Sequence, residues 1–137
     1  MKRMKYQILL PVMLSMLAIS CEYIEEPTVD TVDNIYNSWV VQQVFIDGQE
    51  DTATDYTAFV LQINNDNTYS LTTESGNTTT GIWRLANQNK LILNEGTPDE
   101  RVYLIAESNE SSLVLLYENE FFKEVKSVFR YVLIPMQ

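Results

Sequence analysis

Hydrophobic and polar positions follow two different patterns along this chain. From residue 8 to residue 19 apolar side chains run almost unbroken behind Lys2, Arg3 and Lys5, whereas from about Ile35 onward they alternate with polar ones in short runs. Alternation over four to eight residues marks half-buried strands. Eight such runs are expected, at about 39–46, 56–63, 68–73, 80–85, 90–93, 102–106, 113–117 and 127–134. Clusters of Asn, Asp, Gly, Ser and Thr separate them, as turns require. None carries an apolar stripe of helical period, so helix is expected only as a turn near 33–36.

The alternation assigns side chains to faces, because successive residues of a strand point to opposite sides of a sheet. Phe59, Leu61 and Ile63 share one face, as do Tyr69 with Leu71, Trp83 with Leu85, and Leu91 with Leu93. Tyr103 with Ile105, then Leu113, Leu115 and Tyr117, and finally Phe129, Tyr131 and Leu133 continue the series. One apolar face per strand and short links describe an antiparallel meander, which removes its exposed edges by closing. The expected fold class is therefore all-β, an eight-stranded antiparallel up-and-down barrel. Its tightest hairpin is expected at Asn64-Asn65-Asp66-Asn67, since Asn and Asp tolerate the positive φ of such turns.

The apolar run near the start is about 12 residues long and holds Pro11, too short for a membrane-spanning helix, which needs ~20 apolar residues. Basic residues, a short apolar stretch and small residues in that order make a secretory signal. Leu17-Ala18-Ile19-Ser20 before Cys21, the only cysteine, resembles the lipobox of bacterial lipoproteins. The resemblance implies removal of residues 1–20, acyl chains on Cys21, and a tether over 21–34 leading to a domain at 35–137. The protein is then expected at the cell envelope, anchored to the outer membrane. Glu22, Glu25 and Glu26 behind the cysteine resemble a surface-export signal of outer-membrane lipoproteins; a solvated linker accounts for them equally well. Asp30-Thr31-Val32 and Asp51-Thr52-Ala53 resemble a short O-glycosylation motif, a pattern that also recurs by chance.

Charge narrows the partners. The first twenty residues hold three of the nine basic residues and none of the nineteen acidic ones, so the remaining 117 carry six basic against nineteen acidic side chains, a net charge of −13. Such a surface repels phosphate backbones, and nucleic acid is not an expected partner. Contact with anionic head groups is disfavoured in the same way, which leaves the acyl chains as the membrane contact.

Asn37-Ser38-Trp39 at the first strand, the hairpin around Asp66-Asn67-Thr68-Tyr69, and Gly81-Ile82-Trp83-Arg84-Leu85 together resemble the small lipocalin-like domains of bacterial lipoproteins. The resemblance spans about 35–133. It departs from the lipocalin Gly-x-Trp pattern at Asn37, where the glycine would stand. By analogy with that family, Trp39 on the first strand and Arg130 on the last are expected to form a barrel-closing pair. The resemblance also implies an enclosed small apolar ligand. Phe59, Leu61, Tyr69, Leu71, Trp83, Tyr103, Leu115, Tyr117, Phe129 and Tyr131 are the candidates to line that pocket or, equally, to fill it as core. With no inward Arg or Lys assignable from the pattern, the expected ligand is small, uncharged or nearly so, and mostly apolar.

Enzymatic chemistry has little to stand on. The chain has no histidine, which removes the commonest general base and neutral metal ligand. Its one thiol is committed to acylation on the reading above. Glu118 and Glu120 read as a solvated hairpin, and 94–100 lacks the spacing of a calcium loop. No catalytic residue, metal or cofactor is expected. Two functions from different classes stay open: a lipoprotein that binds a small apolar molecule, and a filled barrel whose surface docks on another envelope or extracellular protein.

Overall fold

The computed structural model describes residues 35–122 and 125–137, side chains at 119–125 excepted; the signal segment, Cys21 and the tether lie outside them. The chain forms β1 (Asn37–Ile46), β2 (Gln49–Glu50), β3 (Val60–Ile63), β4 (Thr68–Thr72), β5 (Thr78–Ala86), β6 (Lys90–Leu93), β7 (Arg101–Asn109), β8 (Ser112–Phe122) and β9 (Val125–Pro135). Eight of these follow the expected runs. From β3 to β9 each strand pairs antiparallel with the next, while β1 pairs with β3 along its first half and with β9 along most of its length. That last pairing closes an eight-stranded up-and-down barrel. The two-residue β2 is an addition, folded back on the end of β1. Ile35 sits in a single 3₁₀ turn ahead of β1.

Turn chemistry explains where the strands stop. Asn67 takes a φ of 66° in the β3–β4 hairpin, and the Asp66 carboxylate accepts the Thr68 N–H at 3.0 Å. Asp47 and Gly48 both lie at positive φ, 50° and 83°, the backbone a two-residue hairpin needs. Asp47 also ties this hairpin to the closing strand: its N–H donates to Val128 O and its carboxylate accepts the Val128 N–H, each at 2.9 Å.

Two bulges correct the alternation where the sequence would place a polar group inside. The register of β1 against β9 shifts between Val41 and Gln43. Trp39 and Val44 are consequently buried, Gln43 is exposed, and Phe45 turns outward. On β7 a shift between Ile105 and Glu107 keeps Glu107 in solvent and brings Ser108 to the inner face opposite Leu113. An extra residue in one strand reverses facing beyond it.

The inner faces meet in one core that includes Trp39, Leu61, Leu71, Leu91, Leu93, Leu113, Leu115 and Leu133, none more than 1% exposed. One end of the barrel is plugged. There Ile35 is fully buried and its carbonyl accepts the Trp39 indole N–H at 2.9 Å. The Trp83 indole donates to Asn64 O at 2.9 Å and its ring lies 5.8 Å from that of Tyr36.

The closing strands pair as expected, but the side-chain pair does not form. Trp39 is in register with Pro135, and Arg130 with Phe45, six positions further along β1. Arg130 stands between inward Phe129 and Tyr131, so it faces out, with its guanidinium carbon 5.5 Å from the Phe45 ring centre. The β1 bulge supplies that ring by turning Phe45 to the same outer face.

Candidate functional site

An eight-stranded barrel has an interior just wide enough to be filled by side chains or to hold one small molecule, and here its middle is filled. Phe59, Leu61, Tyr69, Leu71, Trp83, Tyr103, Leu115 and Tyr131 are all at most 7% exposed and belong to the same core. Tyr117 and Phe129 pack against that core from one end and remain half-buried. All ten predicted inward residues therefore share the interior. Only those near the open end reach solvent, and Trp83 sits at the plugged end, away from any opening.

The open end holds a cleft of about 660 Å³, lined by Ile46, Tyr56, Thr79, Arg101, Tyr117, Phe129 and Tyr131 among others. Its volume falls in the range that accommodates a drug-sized molecule, roughly 300 to 1,000 Å³. Its base is aromatic. Phe129 and Tyr131 stack at 6.1 Å, Phe59 stacks on Tyr131 at 5.4 Å, and Tyr103 leans on Tyr117 at 5.3 Å. Tyr56 meets Tyr131 edge-on at 6.4 Å, so the 51–59 loop contributes one wall.

That loop is held by its own first residue. The Asp51 carboxylate accepts the Ala53 N–H at 3.0 Å, the Thr54 N–H at 3.3 Å and the Tyr56 hydroxyl at 2.8 Å. The Thr54 side chain, the Tyr56 hydroxyl and these backbone donors together lower the Asp51 pKa to about 2. Burial, then its hydrogen bond to Asp51, pushes the Tyr56 phenol up to about 12. Burial likewise raises Tyr131 and Tyr103. These phenols stay neutral and act as hydrogen-bonding groups at an aromatic base, below a polar rim that includes Asp51, Thr54, Thr73, Glu74, Ser75 and Asn77. Thr52, within one Asp-Thr-apolar motif, is exposed on this loop, and Thr31 in the other lies outside the described residues.

Arg101 is the residue that sequence reasoning missed. It stands opposite Leu93, and Tyr103 opposite Leu91, both core residues, so Arg101 shares the inner face. Its guanidinium carbon is 5.7 Å from the Tyr117 ring centre. The expectation of no inward cation is corrected: β7 starts at Arg101, one residue before the expected run, and the inner-face parity of Tyr103 and Ile105 extends back to it.

A second cleft, about 540 Å³, lies over β6 to β9 toward the outer face, and Arg101 and Tyr117 border both clefts. Val102, Leu104 and Val128 on its wall are 41%, 39% and 38% exposed, making an apolar patch outside the barrel. Among the described residues no group of three or more Asp, Glu, His or Cys is placed to hold a metal ion. In the 94–100 segment both glutamates have internal uses: Glu95 pairs with Arg84, and Glu100 accepts the Gly96 N–H at 2.7 Å.

Closed strand order, a plugged end and an open aromatic end define an eight-stranded antiparallel up-and-down barrel. A solved structure of a lipocalin-like protein from Bacteroides uniformis is similar, with 14% sequence identity and a TM-score of 0.49, over 75% of this chain and 99% of that one. No protein-family model and no curated protein matches the chain.

Proposed function

We propose that this protein is a lipid-anchored envelope protein that captures a small, mostly apolar molecule in the open end of its barrel. The observation that carries the reading is the aromatic cleft, whose base is formed by Tyr117, Phe129 and Tyr131 and backed by a packed core. Flat aromatic walls bury large apolar area at little conformational cost, and their neutral phenols offer orienting hydrogen bonds. The ligand sits in the mouth rather than the centre, because the centre is occupied by leucine and tyrosine side chains. Anchoring rests on Cys21 and the signal-like residues before it, and the acidic tether would hold the domain off the bilayer.

Saturable binding of a neutral naphthalene derivative by the full chain tests the cleft. A Thr79→Trp variant, which places an indole in the mouth, is expected to abolish that binding. The specific observation favouring a different reading, a surface that docks on another envelope protein, is the apolar patch of Val102, Leu104 and Val128. If probe binding survives Thr79→Trp and is lost in Leu104→Glu, the outer face is the site. Mass spectrometry of the mature protein from its own membrane tests the anchor: an unmodified N-terminal residue would remove it.

A further inference from the structure

Arg101 is cationic, half-buried and on the inner face at the open end. Charged side chains withdrawn from water are normally paired, since desolvation otherwise weighs against the charge. The contrast with Arg84 is instructive. Arg84 is exposed on the outer face, yet its guanidinium makes a two-pronged contact with Glu95, at 2.7 and 2.5 Å. Arg101, where pairing would count for more, makes no ion pair among the described residues. What surrounds it is aromatic: the Tyr117 face, with Tyr103 and Tyr131 close enough to act on its charge. Burial weakens its charge, but these phenols keep its pKa above the ordinary arginine value.

Resting on the reading of the open end as a ligand site, we infer that the ligand carries a single carboxylate, seated against the Arg101 guanidinium while its apolar body lies on Tyr117, Phe129 and Tyr131. A planar guanidinium matches a carboxylate with two parallel hydrogen bonds, and the neutral phenols nearby can donate to the same oxygens. The rim limits the charge to one. Asp51 and Glu74 both line the cleft, and their carboxylates repel a second negative group. Asp51 is already engaged by its own loop, which leaves it no reason to move onto Arg101.

Three probes of one shape separate the possibilities: naphthoate, the neutral naphthamide and the naphthylmethylammonium cation, each titrated calorimetrically into the full chain. A charge-assisted contact of this kind is expected to favour naphthoate over naphthamide by about tenfold or more, with the cation weakest. The ratio should fall to near one in Arg101→Gln and persist in Arg101→Lys, which keeps the charge. Native protein that binds all three alike, or the cation best, overturns the carboxylate inference and leaves the aromatic-based cleft standing. Native protein that binds none of them overturns both. The comparison within native protein needs no variant to fold.

Discussion

The two ends of this barrel use the same residue types for opposite purposes. At the plugged end, Trp39 is fully buried and Trp83 nearly so, and each indole N–H is spent on a backbone carbonyl, Ile35 O and Asn64 O, so neither indole is left to recognise a ligand. At the open end Tyr56, Tyr117, Phe129 and Tyr131 are packed against one another with one side facing a cleft, and a cation stands among them. Aromatic rings at strand spacing are thus core or site according to what caps them. A cap of chain and hydrogen bonds makes stability; a rim of polar loops makes a surface that can bind.

The largest expected effect tests that division directly. Trp39→Ala removes a fully buried indole and should lower the unfolding free energy by ~3–5 kcal/mol. Tyr117→Ala, at a half-buried position facing the cleft, should cost less than about 2 kcal/mol. Urea midpoints with unchanged slopes give the comparison. Equal losses would mean that the open end is as structural as the plugged one.

Gly48 sharpens the picture at the open side, where β1 turns back into β2. Its φ is 83° with nothing near the position of an added Cβ, so Gly48→Ala is a pure backbone penalty of about 1 kcal/mol. If thermal unfolding shows no loss, the hairpin and the Asp47 contacts to Val128 form independently of it.

Arg130→Ala should matter little. The side chain is exposed over Phe45, and an exposed cation over a ring contributes ~0.5–1 kcal/mol. Its effect should vanish in a Phe45→Leu background and persist in a Trp39→Phe one, as a double-mutant cycle resolves. Coupling to Trp39 instead would restore the closing pair that the register argues against.

Most of the fold was legible in the sequence because strand parity is a local signal. All eight barrel runs and the ten inward side chains follow from alternation, and Asn67 takes the positive φ expected of its turn. What escaped was set by irregularities and by ends. The Asp47-Gly48 dipeptide is a strong hairpin signal, and it is the local mark of β2. The bulge near Gln43 has no such mark, since apolar Val44 and Phe45 are adjacent and either fits inside. Arg101 escaped because a charged residue at a run's first position reads as its boundary. Arg130 was placed by family analogy rather than by parity; parity alone, with Phe129 and Tyr131 facing in, sends it outward. The depth of the cleft could not be read at all, because side-chain volumes along parity do not say which end is capped.

The smallest effect concerns the loop that walls the cleft, and it has a sign at each end of the pH scale. The Asp51 carboxyl is held down at about 2 from its ordinary 3.8 by the Thr54 and Tyr56 side chains and the Ala53 N–H. A carboxyl lowered in the folded state favours folding above its ordinary value, and that contribution is lost as pH falls from about 4 toward 2. Tyr56 is raised from 10.0 to about 12 by burial and by Asp51; it favours the folded state below pH 10, a contribution lost as pH rises toward 12. The loop should consequently be held best between those limits and loosen on either side. Because Asp51 holds only its own loop at the partly exposed rim of the cleft, the effect is a local opening rather than global unfolding, read as faster proteolysis or amide exchange over 51–59. Asp51→Asn should flatten the acid arm and Tyr56→Phe the alkaline one, with probe affinity in the cleft following the same two arms. An acid arm that survives Asp51→Asn would place the titrating group elsewhere and detach the loop from the pH behaviour of the open end.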